Sequence, residues 1–175
     1  MSPLNIHRKK IINKKKLLLL VLMLPAIVLA RSSDQYLPYH IQADTIIYNR
    51  NLHTTVYQGH VHATQGSTRL TGDKVVVYTS KTGSKITLIV ASGNPAHYST
   101  LPNKKPARLF AEALTIKYYP LKNQVLLLKK ARIAQNHDLF TGPHIWYDMA
   151  KQVVVSTSPH GHGRTTVVIE PQSNK

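Results

Sequence analysis

Apolar and polar side chains alternate with a period of two from Tyr39 onward, and this alternation limits the chain to a fold built from β-strands. Ile41, Ala43 and Ile47 fall on one face of an extended segment, and the stretch VHATQGSTRLTGDKVVVY at residues 61–78 continues the pattern. Side chains on one face of a strand recur every two residues, whereas those on one face of a helix recur every 3.6. We therefore predict strands, and no amphipathic helix in this part of the chain.

Residues that favour turns interrupt the alternation at regular intervals. Glycine, proline and asparagine commonly end strands, so we expect many short strands separated at these points. Such a chain is typical of an all-β sandwich, barrel or jelly roll. The interruptions are Asn49-Arg50-Asn51, Gly59, Gly66, Lys81-Thr82-Gly83, Gly93-Asn94-Pro95, Pro102-Asn103-Lys104, Pro120, Asn136, Gly142 and Pro159.

A weak internal repeat relates two parts of the chain. The segment that begins at Ala43 can be aligned with the one that begins at Ala111, and the alignment pairs Thr71-Gly72 with Thr141-Gly142. Each copy runs through a strand, a turn and a long strand before this Thr-Gly step. The repeat predicts stacked strand pairs, each burying its apolar face on the next.

The first thirty residues have the pattern of a cleavable signal peptide. Six Lys and Arg residues precede an apolar run of 14 residues, 17–30, which is shorter than the span of about 20 that crosses a bilayer. We expect cleavage after Ala30 and export of the remainder. The alternative is an uncleaved anchor beginning near Ile11, which would place Asn13 and three lysines in hydrocarbon at a few kcal/mol each.

The exported part is basic and contains no cysteine. It retains 17 of the 23 Lys and Arg residues and all seven acidic ones, and its length of about 145 residues suits one domain. The absence of cysteine excludes a disulfide framework, thiol chemistry and cysteine-ligated zinc. We do not expect nucleic acid as a partner, because export removes most such targets and the aromatic residues are too sparse for a stacking platform.

No constellation of residues predicts catalysis, and we expect neither an enzyme nor a cofactor. The seven carboxylates are scattered, whereas acid–base catalysis needs two that are held close together. His60 and His62 lie two apart on a strand and His160 and His162 in a Gly-rich loop, but a structural zinc site normally has four ligands. Solvent-facing histidines are the favoured interpretation, and no metal site is predicted.

Several strands are apolar on both faces, namely residues 75–77, 86–91, 125–128 and 153–155. Two interpretations remain open: a sandwich core with additional apolar residues outside, or an interior large enough to hold an apolar ligand. The basic clusters, similarly, are either a solvated face or a contact for an anionic headgroup. These clusters include Lys104, Lys105, Lys129 and Lys130.

Six stretches of the sequence follow one another in an order that resembles a known family. They are IQADTIIY, VYQGHVHATQGSTRLTGDKVVVY, ASGNPAHY, AEALTIKYYPLKNQVLLL, LFTGPHIWYDMAKQ and GRTTVVIEPQ, and together they span residues 39–171. In this combination they resemble the OstA-like family of lipopolysaccharide-transport proteins. The resemblance leaves residues 31–38 as an N-terminal segment and 172–175 as a polar tail.

The resemblance implies an open-ended, slightly twisted β-jelly roll of about 16 antiparallel strands with a V-shaped apolar interior for acyl chains. It implies a periplasmic protein that binds lipopolysaccharide and associates head to tail with other jelly rolls. The expected partners are further copies, an inner-membrane-anchored jelly-roll protein (LptC-like) and the amino-terminal domain of an outer-membrane translocon (LptD-like). The alternatives are the membrane-anchored component of the same system and an exported basic β-protein that binds other polyanions.

Strand parity, applied to this fold, predicts the residues that contact lipid. His97 stands where the family tends to have a large aromatic residue, so either this position does not face inward or the groove is more polar there. The predicted headgroup contacts are the four lysines named above, and the predicted interface is the C-terminal edge strand with Thr166, Val167, Val168 and Ile169. The predicted groove residues are Tyr39, Ile41, Val61, Ala63, Val75, Val77, His97, Leu114, Ile116, Val125 and Leu127.

Overall fold

The computed structural model describes Asp34 and residues 37–101, 108–159 and 163–169. Ten β-strands form in this part of the chain, and a short 3-10 turn at Pro120–Lys122 joins the sixth to the seventh. No helix among the described residues is long and apolar enough to cross a membrane. The strands are β1 His40–Gln42, β2 Thr45–Asn49, β3 Thr54–Gln65, β4 Thr68–Thr79, β5 Ile86–Thr100, β6 Leu109–Tyr119, β7 Gln124–Gln135, β8 Asp138–Asp148, β9 Val153–Thr157 and β10 Thr166–Val168.

All ten strands belong to one antiparallel sheet, in which β3 to β8 pair in chain order. Two short strands share each end of the sheet. At the N-terminal end, β1 pairs with the second half of β3 and β2 pairs with its first half. At the C-terminal end, β10 pairs with the first half of β8 and β9 pairs with its second half. Each end of the sheet is therefore formed by a pair of short strands.

A row of register shifts crosses the sheet and divides it into two layers. The shifts fall between Gln58 and Val61 in β3, and at the corresponding point of each later strand pair up to β7 and β8. Such shifts mark β-bulges, which bend a strand. The first layer comprises residues 45–49, 54–58, 74–79, 86–92, 115–119, 124–128, 144–148 and 153–157. The second comprises residues 40–42, 61–65, 68–72, 96–100, 109–112, 131–135, 138–142 and 166–168.

The two layers face each other across one core. The rings of Tyr98, in the second layer, and Tyr118, in the first, have centroids 5.6 Å apart. Tyr98 Oη also donates to Met149 Sδ at 3.5 Å, at the end of β8 in the first layer. Buried residues of both layers form a single apolar cluster. The sheet is thus folded over along its row of bulges and packs against itself.

The strand count differs from the predicted sixteen because several predicted turns are bulges inside strands. Gly59, Gly93-Asn94-Pro95 and Gly142 lie within β3, β5 and β8 and do not end them. Since each bulge carries one strand from the first layer to the second, the ten described strands supply eight segments to each layer. The residues that interrupt the sequence pattern were identified correctly, but their structural role was not.

The corner between β1 and β2 is held to the bulge of β3. Gly59 has a φ of 80°, which glycine adopts readily, and the Asp44 carboxylate occupies the space that a Cβ would need. Asp44 N donates to Gly59 O at 3.0 Å, and His60 Nδ1 lies 2.8 Å from Asp44 Oδ2. The hydrogen bond with Asp44 raises the pKa of His60. The repeat places a second pair of positive-φ residues, Lys129-Lys130, at the same position of β7.

Asp148 fixes the turn between β8 and β9. It is 7% exposed; Lys151 N donates to its Oδ1 and Gln124 Nε2 to its Oδ2, both at 2.9 Å. These two hydrogen bonds hold the pKa of Asp148 below its usual 3.8, and the one from the Lys151 backbone has the larger effect.

Asp148→Asn should lower the melting temperature near neutral pH, because the amide cannot accept both hydrogen bonds in the same way. A carboxylate whose pKa is lowered by folding stabilises the protein above its unfolded pKa, and this contribution is lost as pH falls through its folded pKa. The difference between wild type and variant should therefore be fully present above the unfolded pKa of the carboxyl group and shrink as the pH falls below 3.8. Thermal unfolding followed across this range tests the prediction, and a difference that is constant with pH would contradict it.

Candidate functional site

Three rows of side chains run across the inner face from one end of the sheet to the other. They follow directly from the strand registers, because residues paired on neighbouring antiparallel strands point to the same side. Two rows line the first layer: Ile46, Tyr57, Val75, Ala91, Ile116, Leu127, Ile145 and Ser156; and Tyr48, Thr55, Val77, Ile89, Tyr118, Val125, Tyr147 and Val154. The third lines the second layer: Ile41, Ala63, Leu70, Tyr98, Ala111, Ile133, Phe140 and Val167.

The structure brings nine of the eleven predicted groove residues together on this inner face. Seven are buried in the core cluster, and Tyr39 and Ile41 are half-buried and pack against it. The parity of each strand segment was therefore read correctly wherever no bulge intervened. The seven buried residues are Val61, Ala63, Val75, Val77, Ile116, Val125 and Leu127.

His97 was assigned to the wrong face, and Leu114 lies in a bulge and outside the core cluster. His97 is exposed, while its neighbours Ala96 and Tyr98 are buried. Leu114 lies in the bulge of β6, where Ala113 rather than Leu114 is fully buried. A bulge inserts an extra residue and exchanges the two faces beyond it, and the alternation of the sequence alone could not locate that exchange.

Sequence reasoning also missed several large inner-face residues, above all Tyr98, Tyr118 and Tyr147. All three are buried, and desolvation raises the pKa of each phenol. Tyr118 and Tyr119 are adjacent in the sequence, and because both are tyrosines the residue type does not tell which one faces inward. Alternation within one strand segment could have identified such residues, since Tyr118 lies two positions after the inward-facing Ile116. This count holds only as far as the nearest bulge.

The inner face encloses a cavity at the C-terminal end of the sheet. Its volume is about 210 Å³, and Leu109, Ile133, Phe140 and Val154 give it apolar walls. Tyr147, Gln135, Asp138 and Gln152 add polar groups. Toward the N-terminal end, by contrast, the space beside Tyr39 and Tyr118 is only about 10 Å³. Of these two spaces on the described inner face, the larger therefore lies near β8 and β9.

The strands that are apolar on both faces do not enlarge the interior. Their second set of apolar residues forms a row on the outer face of the first layer, where Tyr119 and Trp146 also pack with ring centroids 5.8 Å apart. These second-face residues thus lie outside the core and do not line the space between the two layers. The outer row consists of Ile47, Val56, Val76, Val90, Lys117, Leu126, Trp146 and Val155.

A larger groove of about 540 Å³ lies on the outer face of the second layer. Glu112 stands at its centre, with Arg132 Nη1 3.8 Å from Oε1 and His97 Nδ1 3.7 Å from Oε2. Arg69, His62 and the exposed ring of Phe110 complete its walls. This groove is charged and is separated from the apolar inner face by the sheet itself.

The predicted headgroup lysines divide into two pairs. Lys104 and Lys105 lie outside the described residues. Lys129 and Lys130 are exposed in the bulge of β7, with φ angles of 63° and 51°. They lie on the row where the two layers meet and take no part in either cavity.

Both ends of the sheet expose apolar residues. Within the described part of the chain, β10 pairs only with β8, so its other edge is unpaired. Val167 is 48% exposed, Val168 46% and Ile169 70%; Thr166 is exposed as well. At the opposite end, Ile46, Ile47 and Tyr48 of β2 are all more than half exposed. Unpaired strand edges of this kind can be extended by another strand.

The described residues contain no group of three His, Cys, Asp or Glu side chains that could hold a metal ion. Several of their carboxylates are engaged in local contacts, such as Asp44 with His60 and Glu112 with Arg132. The features that the fold positions for binding are thus the inner apolar face, the outer charged groove and the two open ends.

Comparison with known proteins relates this arrangement to a defined family. The family described as "LptA/(LptD N-terminal domain) LPS transport protein" matches residues 40–153. Lipopolysaccharide export system protein LptH of Pseudomonas aeruginosa is 34% identical over 155 residues, which cover 84% of this chain and 87% of the relative. Lipopolysaccharide export system protein LptA of Escherichia coli K12 is 29% identical over 155 residues, covering 88% and 82%.

A solved structure shows the same fold. The crystal structure of P. aeruginosa LptH, described as the LptA-homologous periplasmic component of the conserved lipopolysaccharide transport device, aligns with a TM-score of 0.73 and 32% identity. The alignment covers 79% of this chain and 99% of that one. The predicted all-β, open-ended jelly roll and the resemblance on which it rested are confirmed. The chain belongs to the LptA/LptD N-terminal domain family of lipopolysaccharide transport proteins.

Proposed function

We propose that the protein is a periplasmic carrier that binds the acyl chains of lipopolysaccharide between its two layers and passes them along a row of jelly rolls. The observation that carries the proposal is the continuity of the three inner rows, which reach both open ends of the sheet. Burial of acyl chains is worth about 0.8 kcal/mol per methylene. This is enough for capture without any chemical step, in keeping with the proposal that the protein is not an enzyme.

Head-to-tail association would join these rows from one protein to the next. The N-terminal end presents Ile46 and Tyr48 beside an unpaired strand edge, and the C-terminal end presents Val154 and Val167. Pairing of unlike ends produces an open chain of subunits and not a closed ring. The proposed partners are a second copy, an inner-membrane-anchored jelly roll and the jelly-roll domain of an outer-membrane translocon.

Two adjacent tyrosines allow a direct test of the inner face. Tyr118 is 6% exposed and points between the layers, whereas Tyr119 points outward against Trp146. A photo-crosslinking p-benzoylphenylalanine in place of either residue keeps the para-substituted phenyl ring and carries a larger benzoyl group in place of the hydroxyl. We expect lipopolysaccharide adducts from position 118 and none from position 119 when the exported protein is irradiated in cells.

Three results would contradict this expectation in different ways. Adducts at both positions would indicate lipid on the outer face as well. Adducts at position 119 alone would place the lipid on the outer apolar row. No adduct at either position, in folded protein with lipid present, would exclude the acyl-chain carrier.

The outer groove supports a second candidate function, the binding of a soluble polyanion. Arg69 and Arg132 provide planar guanidinium groups suited to phosphate or carboxylate, and Glu112 contacts Arg132. Binding there would weaken steeply with added salt and would not depend on acyl chains. Binding of lipopolysaccharide in the interior would persist in salt, so the same titration at low and high salt separates the two functions.

A further inference from the structure

The groove on the outer face of the second layer is built from two adjacent rows of side chains. One row pairs His97 with Glu112 and Glu112 with Arg132. The other pairs Ser99 with Phe110. Residues paired on neighbouring antiparallel strands point to the same side of the sheet. The groove volume of about 540 Å³ lies within the range of about 300–1,000 Å³ that is typical of small-molecule sites.

Phe110 gives this groove an apolar surface. It is 58% exposed, while its neighbours Leu109 and Ala111 are buried on the other side of the strand. Its paired residues on the adjacent strands are Ser99 and Ala134, which are both small, so the ring is accessible to a ligand in the groove. An exposed aromatic ring of this kind offers contact to a molecule that has one flat, apolar face.

Glu112 and the two arginines of the groove determine which polar groups that molecule carries. The Glu112 carboxylate is 3.8 Å from Arg132 Nη1 and 3.7 Å from His97 Nδ1, which is too long for a hydrogen bond. It can therefore accept hydrogen bonds from hydroxyl groups of a ligand. Because Arg132 lies close to Glu112, the exposed Arg69 is the guanidinium more available to an anion.

We propose that this outer groove binds a sugar ring that carries a phosphate or carboxylate group, with the ring on Phe110, its hydroxyl groups donating to Glu112 and the anion at Arg69. A sugar combines an apolar face of C–H groups, hydroxyl groups around its edge and, in acidic sugars, an anionic substituent. The proposal rests on the second candidate function, the binding of a soluble polyanion, and narrows it to one chemical class. It does not depend on the carrier function, because the sheet separates this groove from the inner face.

The test titrates small probes into the isotope-labelled exported protein and follows its backbone amide signals by nuclear magnetic resonance. The probes are glucose 6-phosphate, glucose, which lacks the anion, and glycerol 3-phosphate, which lacks the ring. We expect glucose 6-phosphate to shift the amide signals of Ser99, Phe110 and Glu112. It should bind about 10-fold more tightly than either of the other probes, since each lacks one of the recognised groups.

Three substitutions assign the parts of the site. Phe110→Leu keeps an apolar side chain without the ring, and it should weaken glucose 6-phosphate about 5-fold while leaving glycerol 3-phosphate unchanged. Arg69→Gln should weaken both phosphates about 10-fold. Arg50→Gln is the matched control, because Arg50 is exposed in the turn between β2 and β3 and lies outside the groove. All three residues are exposed, so the melting temperatures should not change.

The outcomes separate this proposal from the function on which it rests. Inorganic polyphosphate that binds wild type and is weakened by Arg69→Gln, while glucose 6-phosphate binds no better than glycerol 3-phosphate, would retain the polyanion site and overturn the sugar site. Absence of binding by every phosphate probe would overturn both. Equal effects of Arg69→Gln and Arg50→Gln would overturn the groove as the location.

Two sources can supply such a sugar, a free saccharide and the headgroup of lipopolysaccharide. Crosslinking from position 118 distinguishes them when Arg69→Gln and Arg50→Gln are compared in cells. Equal amounts of lipopolysaccharide adduct in the two variants would assign the groove to a free saccharide. Fewer adducts in Arg69→Gln alone would assign it to the headgroup.

Discussion

Tyr98→Ala should lower the free energy of unfolding by about 3–5 kcal/mol, the range for truncating a large buried aromatic residue. Tyr98 is 2% exposed, packs its ring at a tilt against that of Tyr118 and donates to Met149 Sδ. Both contacts join the second layer to the first, so the substitution opens a void and removes a link between layers. The loss should appear in chemical denaturation as a lower midpoint with an unchanged slope.

The matched control is Tyr48→Ala. Tyr48 is 65% exposed at the end of the sheet, and surface substitutions of this kind usually change stability by less than about 0.5 kcal/mol. If Tyr98→Ala were as mild as this control, the two layers could not be packed through Tyr98 in solution.

Proline substitution at the C-terminal edge should separate assembly from folding. Adjacent residues of an antiparallel strand direct their N–H groups to opposite sides, so one of Val167 and Val168 donates toward β8 and the other toward the open edge. The two residues are matched in type and in exposure, 48% and 46%. Proline removes the N–H group and blocks strand pairing on that side.

We expect one of Val167→Pro and Val168→Pro to weaken head-to-tail association about 10-fold or more while leaving the melting temperature unchanged, since about 1.4 kcal/mol corresponds to a factor of ten. The other should affect the pairing of β10 with β8. Sedimentation across a range of concentrations measures association, and thermal unfolding measures stability. Equal association of both variants and wild type would exclude extension of β10 as the mode of assembly.

The sequence specifies most of this fold through side-chain alternation, but the bulges limit what can be predicted from it. Within a segment, parity placed Val75, Val125 and Leu127 correctly on the inner face. It failed at His97 and Leu114, which follow or occupy bulges, because an inserted residue exchanges the two faces without changing the polarity of the sequence.

The same limit explains the tyrosines. Tyr118 and Tyr119 are chemically identical, and only the register with Val125 and Gln124 on β7 distinguishes the inner ring from the outer one. Tyr147 has a buried hydroxyl without a hydrogen-bond partner among the described residues, and this environment depends on contacts between residues distant in the chain. Local patterns therefore predict the strands and much of the inner face, whereas the polar features of the interior require the register of the whole sheet.

The row of bulges determines how the protein can make room for a guest molecule. Six long strands pass continuously from one layer to the other. The two layers are therefore halves of one folded sheet and not two separate sheets. Separation of the two layers would bend the strands at the row of bulges and disturb side-chain packing. It would leave the hydrogen bonds between neighbouring strands within each layer intact. When an acyl chain enters or leaves, apolar contacts between the layers are exchanged for apolar contacts with the chain at little net change in free energy. This suits transfer along a row of subunits, in which no subunit should retain the lipid.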